Sequence, residues 1–247
     1  MRALFALALS IGLAAAQAAD IKVLSGNGAR AAIAELGARY ERESGHRVTI
    51  DFAVNPEVRK RIQGGEAFDV AILNPPVLDA LIKEGKVRAD TRTVIGRAGI
   101  GVAVREGAPK PDISTVPAFK QALLSAKSVA YPGEGASGKY FVSVVERLGI
   151  RDEMKPKMRP MPAEYNVEVV ATGEVDMVVV VASRIAGVRG VQLVGGIPQE
   201  LQTWIGFTAG VASGAKETEA ARAMLRSFTT PAAAEVLRAA GVQPFVE

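Results

Sequence analysis

The octapeptide Gly133-Glu134-Gly135-Ala136-Ser137-Gly138-Lys139-Tyr140 sets glycines, a hydroxyl and a cation at spacings that suit negatively charged oxygen. It satisfies G-x-G-x-x-G, in which glycines let a backbone approach a pyrophosphate. It also falls one residue short of the phosphate loop G-x-x-x-x-G-K-[ST], because Tyr140 cannot place a small hydroxyl on magnesium. What survives that failure is a helix start whose backbone N–H groups can face an anion. Two further stretches have the same form: Gly26-Asn27-Gly28 before one predicted helix and Asn55-Pro56, with proline early in the next. Asn74-Pro75-Pro76 closes a third strand. Each loop alone is ordinary helix capping; convergent on one cleft, they make an anion site. Asn27, Gly28, Asn55, Asn74 and Ser137 are therefore the candidate binding residues. Arg30 and Lys139 are the nearest cations, and they read as solvated helix charges that are able to neutralise a carboxylate or phosphonate.

Other chemistry is poorly supplied. The single histidine, His46, falls on a polar loop after the first predicted helix and reads as a solvated surface residue, and no G-x-S-x-G elbow provides a nucleophile for it. Asp69 and Asp176 sit at strand starts, away from the expected cleft. There is no cysteine and no His/Asp/Glu grouping suited to a transition metal. The expectation is a binding protein with no catalytic residue, metal or cofactor.

These loops need strands to present them. Residues 21–24 read as a strand, 29–44 as a helix ending at Gly45, 48–54 as a strand, 56–63 as a helix and 69–73 as a buried strand. Strands alternating with helices predict a mainly parallel sheet covered by helices, with ligands at the carboxyl ends of its strands. Residues 100–104 form an apolar strand, and the proline-rich stretch 107–117 is a loop opening a second α/β unit. That unit holds strands at 128–131, 177–181 and 191–194 and helices at 138–148 and 167–172. An extended stretch at 204–211 precedes helices at 216–228 and 231–239.

The 247-residue chain carries a net charge of +4, too mild and too dispersed for a nucleic-acid partner. Residues 1–18 read as an export signal: Arg2, an apolar run over 4–13, and the small-x-small site Ala16-Gln17-Ala18, cleaved near Ala18. That run is shorter than the roughly 20 residues a spanning helix needs. The absence of cysteine excludes a lipoprotein anchor and favours free diffusion in the periplasm.

The order of elements resembles the type II periplasmic solute-binding proteins, and is similar in particular to the molybdate-binding receptors of ABC importers. The phrases that carry the resemblance are Phe52-Ala53-Val54-Asn55, Phe68-Asp69-Val70-Ala71-Ile72, Gly135-Ala136-Ser137-Gly138-Lys139-Tyr140, Gly173-Glu174-Val175-Asp176 and Thr230-Pro231-Ala232-Ala233-Ala234. It implies an α/β, two-lobed type II periplasmic-binding-protein fold, each lobe a mainly parallel sheet flanked by helices, joined by two crossover hinge strands. Lobe one would comprise residues 19–98 plus 209–247, and lobe two 99–208, closing on the ligand by hinge motion. It also implies a monomer that delivers a small anionic ligand to an ABC permease, with a molybdate-like oxyanion as leading candidate. Presentation to a sensor, capture of a small organic anion, and an exported hydrolase or transferase on the same fold are the alternatives. The family's loop serines fall on Gly28 and Asn55, and its late tyrosine falls on Val181. Tyr165, Asn166 and Asn27 are available as replacement donors, and a larger, partly organic anion fits the altered loops.

Overall fold

The computed structural model describes residues 18–162 and 167–245. The first run is β1 (Asp20–Gly26), α1 (Arg30–Ser44), β2 (Arg47–Ala53), α2 (Asn55–Gln63), β3 (Val70–Leu73) and α3 (Pro75–Lys83). A long β4 (Thr93–Arg105) leads into α4 (Val116–Ser125), β5 (Val129–Pro132), α5 (Ala136–Arg147), α6 (Arg151–Met154), β6 (Met158–Met161), α7 (Glu168–Thr172), β7 (Met177–Val181) and β8 (Val191–Gly196). The chain finishes with β9 (Trp204–Val211), α8 (Thr218–Ser227), α9 (Pro231–Ala239) and β10 (Gln243–Pro244). The export signal expected over 1–18 falls, except for Ala18, outside the described residues. Among those residues no helix is long and apolar enough to cross a membrane.

Local chemistry accounts for these elements. In α1, Ile33, Leu36 and Tyr40 recur on the buried face, and Gly45 ends the helix in the left-handed region at φ 72°. In β3 every residue is buried, as is every residue of β7, so these apolar runs are strands covered on both faces. Each fully buried Ile, Leu or Val side chain contributes about 1.5–3 kcal/mol.

The strand order is β2-β1-β3-β9-β4-β7-β5-β6, with β8 and β10 also paired to β4. Strands β2, β1 and β3 are mutually parallel, as are β7, β5 and β6. Strand β9 runs antiparallel to both β3 and β4, and β4 runs antiparallel to β7. The two parallel groups are thus joined through β9 and β4. Residues 93–99 of β4 pair with β9, whereas 100–105 pair with β7 and β8. Apolar patterning predicted only the second half of this strand, because Gly96, Arg97 and Gly99 interrupt the first. The exchange of partners is bridged by a side chain: Gln202 Oε1 accepts from the Ile100 N–H at 2.7 Å and from the Thr203 N–H at 3.0 Å, while Nε2 donates to the Ile100 carbonyl at 3.0 Å.

A cluster of charges ties β1, β2 and α2 together. Arg61 reaches Glu66 through Nε and Nη2, both at 2.6 Å, and Asp51 through Nη2 at 2.9 Å, while Lys22 Nζ meets Glu66 at 2.8 Å. Hydrogen bonds from Arg61 and then Lys22 hold the Glu66 carboxyl at about 2, below its ordinary 4.5. A depressed carboxylate contributes stability above its unfolded value and loses it as pH falls through the folded one. In acid titration followed by circular dichroism, Glu66→Gln therefore flattens the loss of stability between about pH 4.5 and pH 2. A profile identical to that of the unsubstituted chain would remove Glu66 from the acid response.

Candidate functional site

Five strands end at one place. Asn27 and Gly28 follow β1, Val54 and Asn55 follow β2, and Asn74 follows β3; Glu134 to Ser137 follow β5, and Arg184 follows β7. All of them line a single cavity of about 210 Å³ at the carboxyl ends of the strands, where a parallel sheet leaves its crevice. Asp69 lies at the opposite end, before β3, where it accepts from the Lys22, Lys216 and Glu217 N–H groups; Asp176 accepts from Lys127 before β7. His46 also sits at that far end. It is half-buried rather than fully solvated, with Nδ1 accepting from the Ala19 N–H at 3.2 Å, a correction to its surface reading.

The helix starts around the cavity share one property. None of the turn at Asn27–Ala29, α2, α3 and α5 receives a side-chain cap, as is also true of α1, α6, α7 and α8; Thr115 and Thr230 cap α4 and α9. The first N–H groups of the turn after β1, of α2 (apart from Pro56) and of α5 keep no side-chain partner and lie at the positive end of a helix dipole, which suits negative charge; α3 opens on Pro75 and Pro76, which have no N–H to offer. Two buried polar side chains also line the cavity: Ser137, 6% exposed, whose hydroxyl can donate to an anion, and Asn27, 8% exposed, whose Oδ1 has no hydrogen-bond partner among the described residues and, as an acceptor, calls for a donor and not for negative charge.

Asn55 and Asn74 come together in a different way from two independent donors. Asn55 Oδ1 accepts from the Asn74 N–H at 2.9 Å, and Asn55 Nδ2 donates to Asn74 Oδ1 at 3.2 Å. Asn55 thereby fixes the loop after β3 while Asn74 keeps its own amide hydrogens. Ser183 Oγ donates to the Gly28 carbonyl at 2.5 Å, tying the turn after β7 to the loop after β1. Tyr165 lies outside the described residues. Arg30 stacks over the Phe52 ring at 4.7 Å and is not among the lining residues, whereas Lys139 lines the cavity while remaining exposed.

The residue that local patterning missed is Arg184. It is 9% exposed, lines the cavity, and follows a run of valines in a short turn that carries no recognisable motif. The lining also has an apolar wall that includes Pro132, Val180, Val181 and Ile205. Val181, where the resemblance places a tyrosine, belongs to that wall. At Gly28, where it places a serine, a Cβ would stand 2.7 Å from Cε1 of the buried Phe207. Phe207 fills the side-chain space, so Gly28→Ser is expected to destabilise the protein by about 1–3 kcal/mol in urea unfolding, as overpacking does. Unchanged stability would mean that the ring yields freely. Among the described residues no group of three or more His, Asp or Glu side chains forms a metal site.

The sequence pattern of the bacterial extracellular solute-binding proteins matches residues 21–243. The chain belongs to that family. This solute-binding protein is 35% identical over 240 residues to an aconitate isomerase of a Pseudomonas species, an alignment covering 94% of this chain and 90% of the relative. It is 26% identical over 249 residues to the molybdate-binding protein ModA of Azotobacter vinelandii, covering 95% and 94%. The solved periplasmic molybdate-binding protein of Azotobacter vinelandii superposes with a TM-score of 0.77 at 17% identity, covering 90% of this chain and 98% of that one. The fold is accordingly that of the type II periplasmic binding proteins, with the cavity at the carboxyl ends of both parallel groups.

Proposed function

We propose that this solute-binding protein captures a small organic anion bearing more than one carboxylate, in the periplasm after removal of residues 1–18, and passes it to an ABC permease. Lobe one would comprise residues 19–98 and 209–247 and lobe two residues 99–208, with the cavity between them and β4 and β9 as the crossings. Asn27, Gly28, Asn55, Asn74 and Ser137 would supply or position the donors, and Tyr165 remains a candidate beside them. The protein would act as a monomer.

The observation that carries this reading is that the buried Arg184 lines one cavity together with the apolar residues Pro132, Val180, Val181 and Ile205. A guanidinium forks onto a carboxylate through two parallel N–H donors, and a carbon skeleton has apolar surface to set against the wall. A tetrahedral metal oxyanion can use the helix starts but has nothing to place on the wall. The 35% identical relative named for aconitate, an unsaturated tricarboxylate, agrees with this choice, whereas the 26% identical relative supports molybdate.

A thermal-shift series with cis- and trans-aconitate, citrate, sulfate and molybdate tests it. A ligand at about 100 times its Kd adds about 2.7 kcal/mol, which is roughly 5–10 °C for a chain of this size. The expected result is that shift for a polycarboxylate and little for molybdate. A shift with molybdate alone would restore the inorganic reading. A second reading, that the bound anion is also isomerised, is favoured by the relative named aconitate isomerase.

A further inference from the structure

One group is out of place in an anion cavity. Glu134 lines it, directly before the start of α5, and also lines the adjoining outer pocket of Phe52, Glu57, Pro160 and Met161. Glu134 has no ion-pair partner closer than 4 Å among the described residues. A carboxylate without a counter-ion repels the very ligand that the uncapped helix starts, Lys139 and Arg184 attract. Glu134 is exposed at the mouth of the cavity, where solvent screens that repulsion, and what it adds there is a proton acceptor. Of the titratable side chains lining the inner cavity among the described residues, Glu134, Lys139 and Arg184, only Glu134 carries a carboxyl group, the type of side chain that accepts a proton from carbon, and a guanidinium keeps its protons.

We propose that Glu134 is the proton-transfer base of an allylic isomerisation carried out on the bound unsaturated polycarboxylate; this rests on the polycarboxylate reading of the cavity. The Glu134 carboxylate takes a proton from the saturated carbon next to the double bond. That C–H bond breaks, and its electron pair forms a new double bond while the old one opens towards its far carbon. Glu134 returns a proton to that far carbon, a new C–H bond forms, and the carboxylate is regenerated. No atom is gained or lost. The negative charge passing through the allyl unit and its carboxylates is met by Arg184, Lys139 and the N–H groups at the start of α5. Glu134 stands between the inner and outer pockets, so a proton can also exchange with water.

The experiment dissolves the mature protein with trans-aconitate in deuterium oxide and follows both isomers by proton nuclear magnetic resonance, with calorimetric affinities measured alongside. The unsubstituted protein is expected to introduce deuterium at the allylic carbons and to form the cis isomer. Glu134→Gln should lower both rates by about 100-fold or more while binding the anion more tightly, since a like charge has gone. Lys139→Gln should weaken binding and slow exchange of the bound ligand, but by less than Glu134→Gln does, because the base is still present. Tight binding without exchange overturns the proton-transfer role and leaves the capture reading standing. Absence of binding by any polycarboxylate overturns the capture reading itself. Exchange undiminished in Glu134→Gln, or abolished only by Lys139→Gln, overturns the assignment of the base.

Discussion

Replacing Arg184 by alanine is expected to reduce affinity for the organic anion by about 30-fold to several thousand-fold, the equivalent of about 2–5 kcal/mol, measured by isothermal titration calorimetry. The side chain is 9% exposed and lines the cavity beside Ser183, whose hydroxyl holds the Gly28 carbonyl. In such surroundings water cannot replace a lost guanidinium, so most of the attraction for a carboxylate goes with it. Arg184→Lys separates charge from geometry. A lysine keeps the charge but not the two parallel donors, and is expected to recover only part of the affinity. Circular dichroism and the melting temperature of the ligand-free variants establish that the fold persists. Native affinity in Arg184→Ala would move the anion away from the turn after β7.

The second large effect falls on the fold and the cavity at once. A Cβ at Gly138 would land on the backbone carbonyl of Pro132, an atom of β5 that cannot rotate aside. Gly138→Ala must therefore push α5 off the strand, and the start of α5 carries Ser137 and the N–H groups facing the cavity. A cost at the upper end of the usual 1–3 kcal/mol for overpacking, or beyond it, is expected in urea unfolding, together with weakened ligand binding. Substitution at the exposed Gly45, whose Cβ would meet nothing within 4 Å, offers a comparison in which only the left-handed backbone at φ 72° is strained. If Gly138→Ala costs less than Gly45→Ala, close helix–strand approach is not what Gly138 provides. The glycine that completes the dinucleotide-like pattern is thus explained by packing.

Local patterning located most strands and helices because alternation and apolar runs are properties of neighbouring residues. Val70-Ala71-Ile72-Leu73 and Met177-Val178-Val179-Val180-Val181 are buried on both faces and have no other reading. It missed β6, whose Met158-Arg159-Pro160-Met161 has half-exposed or exposed positions and a proline, because that edge strand is made by pairing with β5 and not by burial. It missed α3, because Pro75 and Pro76 read as a loop although proline suits the first turn of a helix. The loops bearing Asn27, Asn55, Asn74 and Ser137 were recognisable, since each ends a strand. That Asn55 binds Asn74 was not, because the two lie 19 residues apart and only the parallel pairing of β2, β1 and β3 brings their loops together. Arg184 was equally hidden: a cation in an Ala-Ser-Arg turn looks like any surface residue until β7 is placed beside β4.

The helix starts without side-chain caps bear on how such a cavity diverges. The donors at the turn after β1, at α2 and at α5 are main-chain atoms, which no side-chain replacement short of proline removes; α3, opening on Pro75 and Pro76, has none in its first two positions. Attraction for negative charge is therefore inherited by every variant that keeps the fold. Under the polycarboxylate reading, the choice among anions would instead fall to exchangeable side chains, such as the valine at 181 and the Phe207 ring that takes the space beside Gly28. A change of cargo would then run through those side chains while the main-chain donors stay in place.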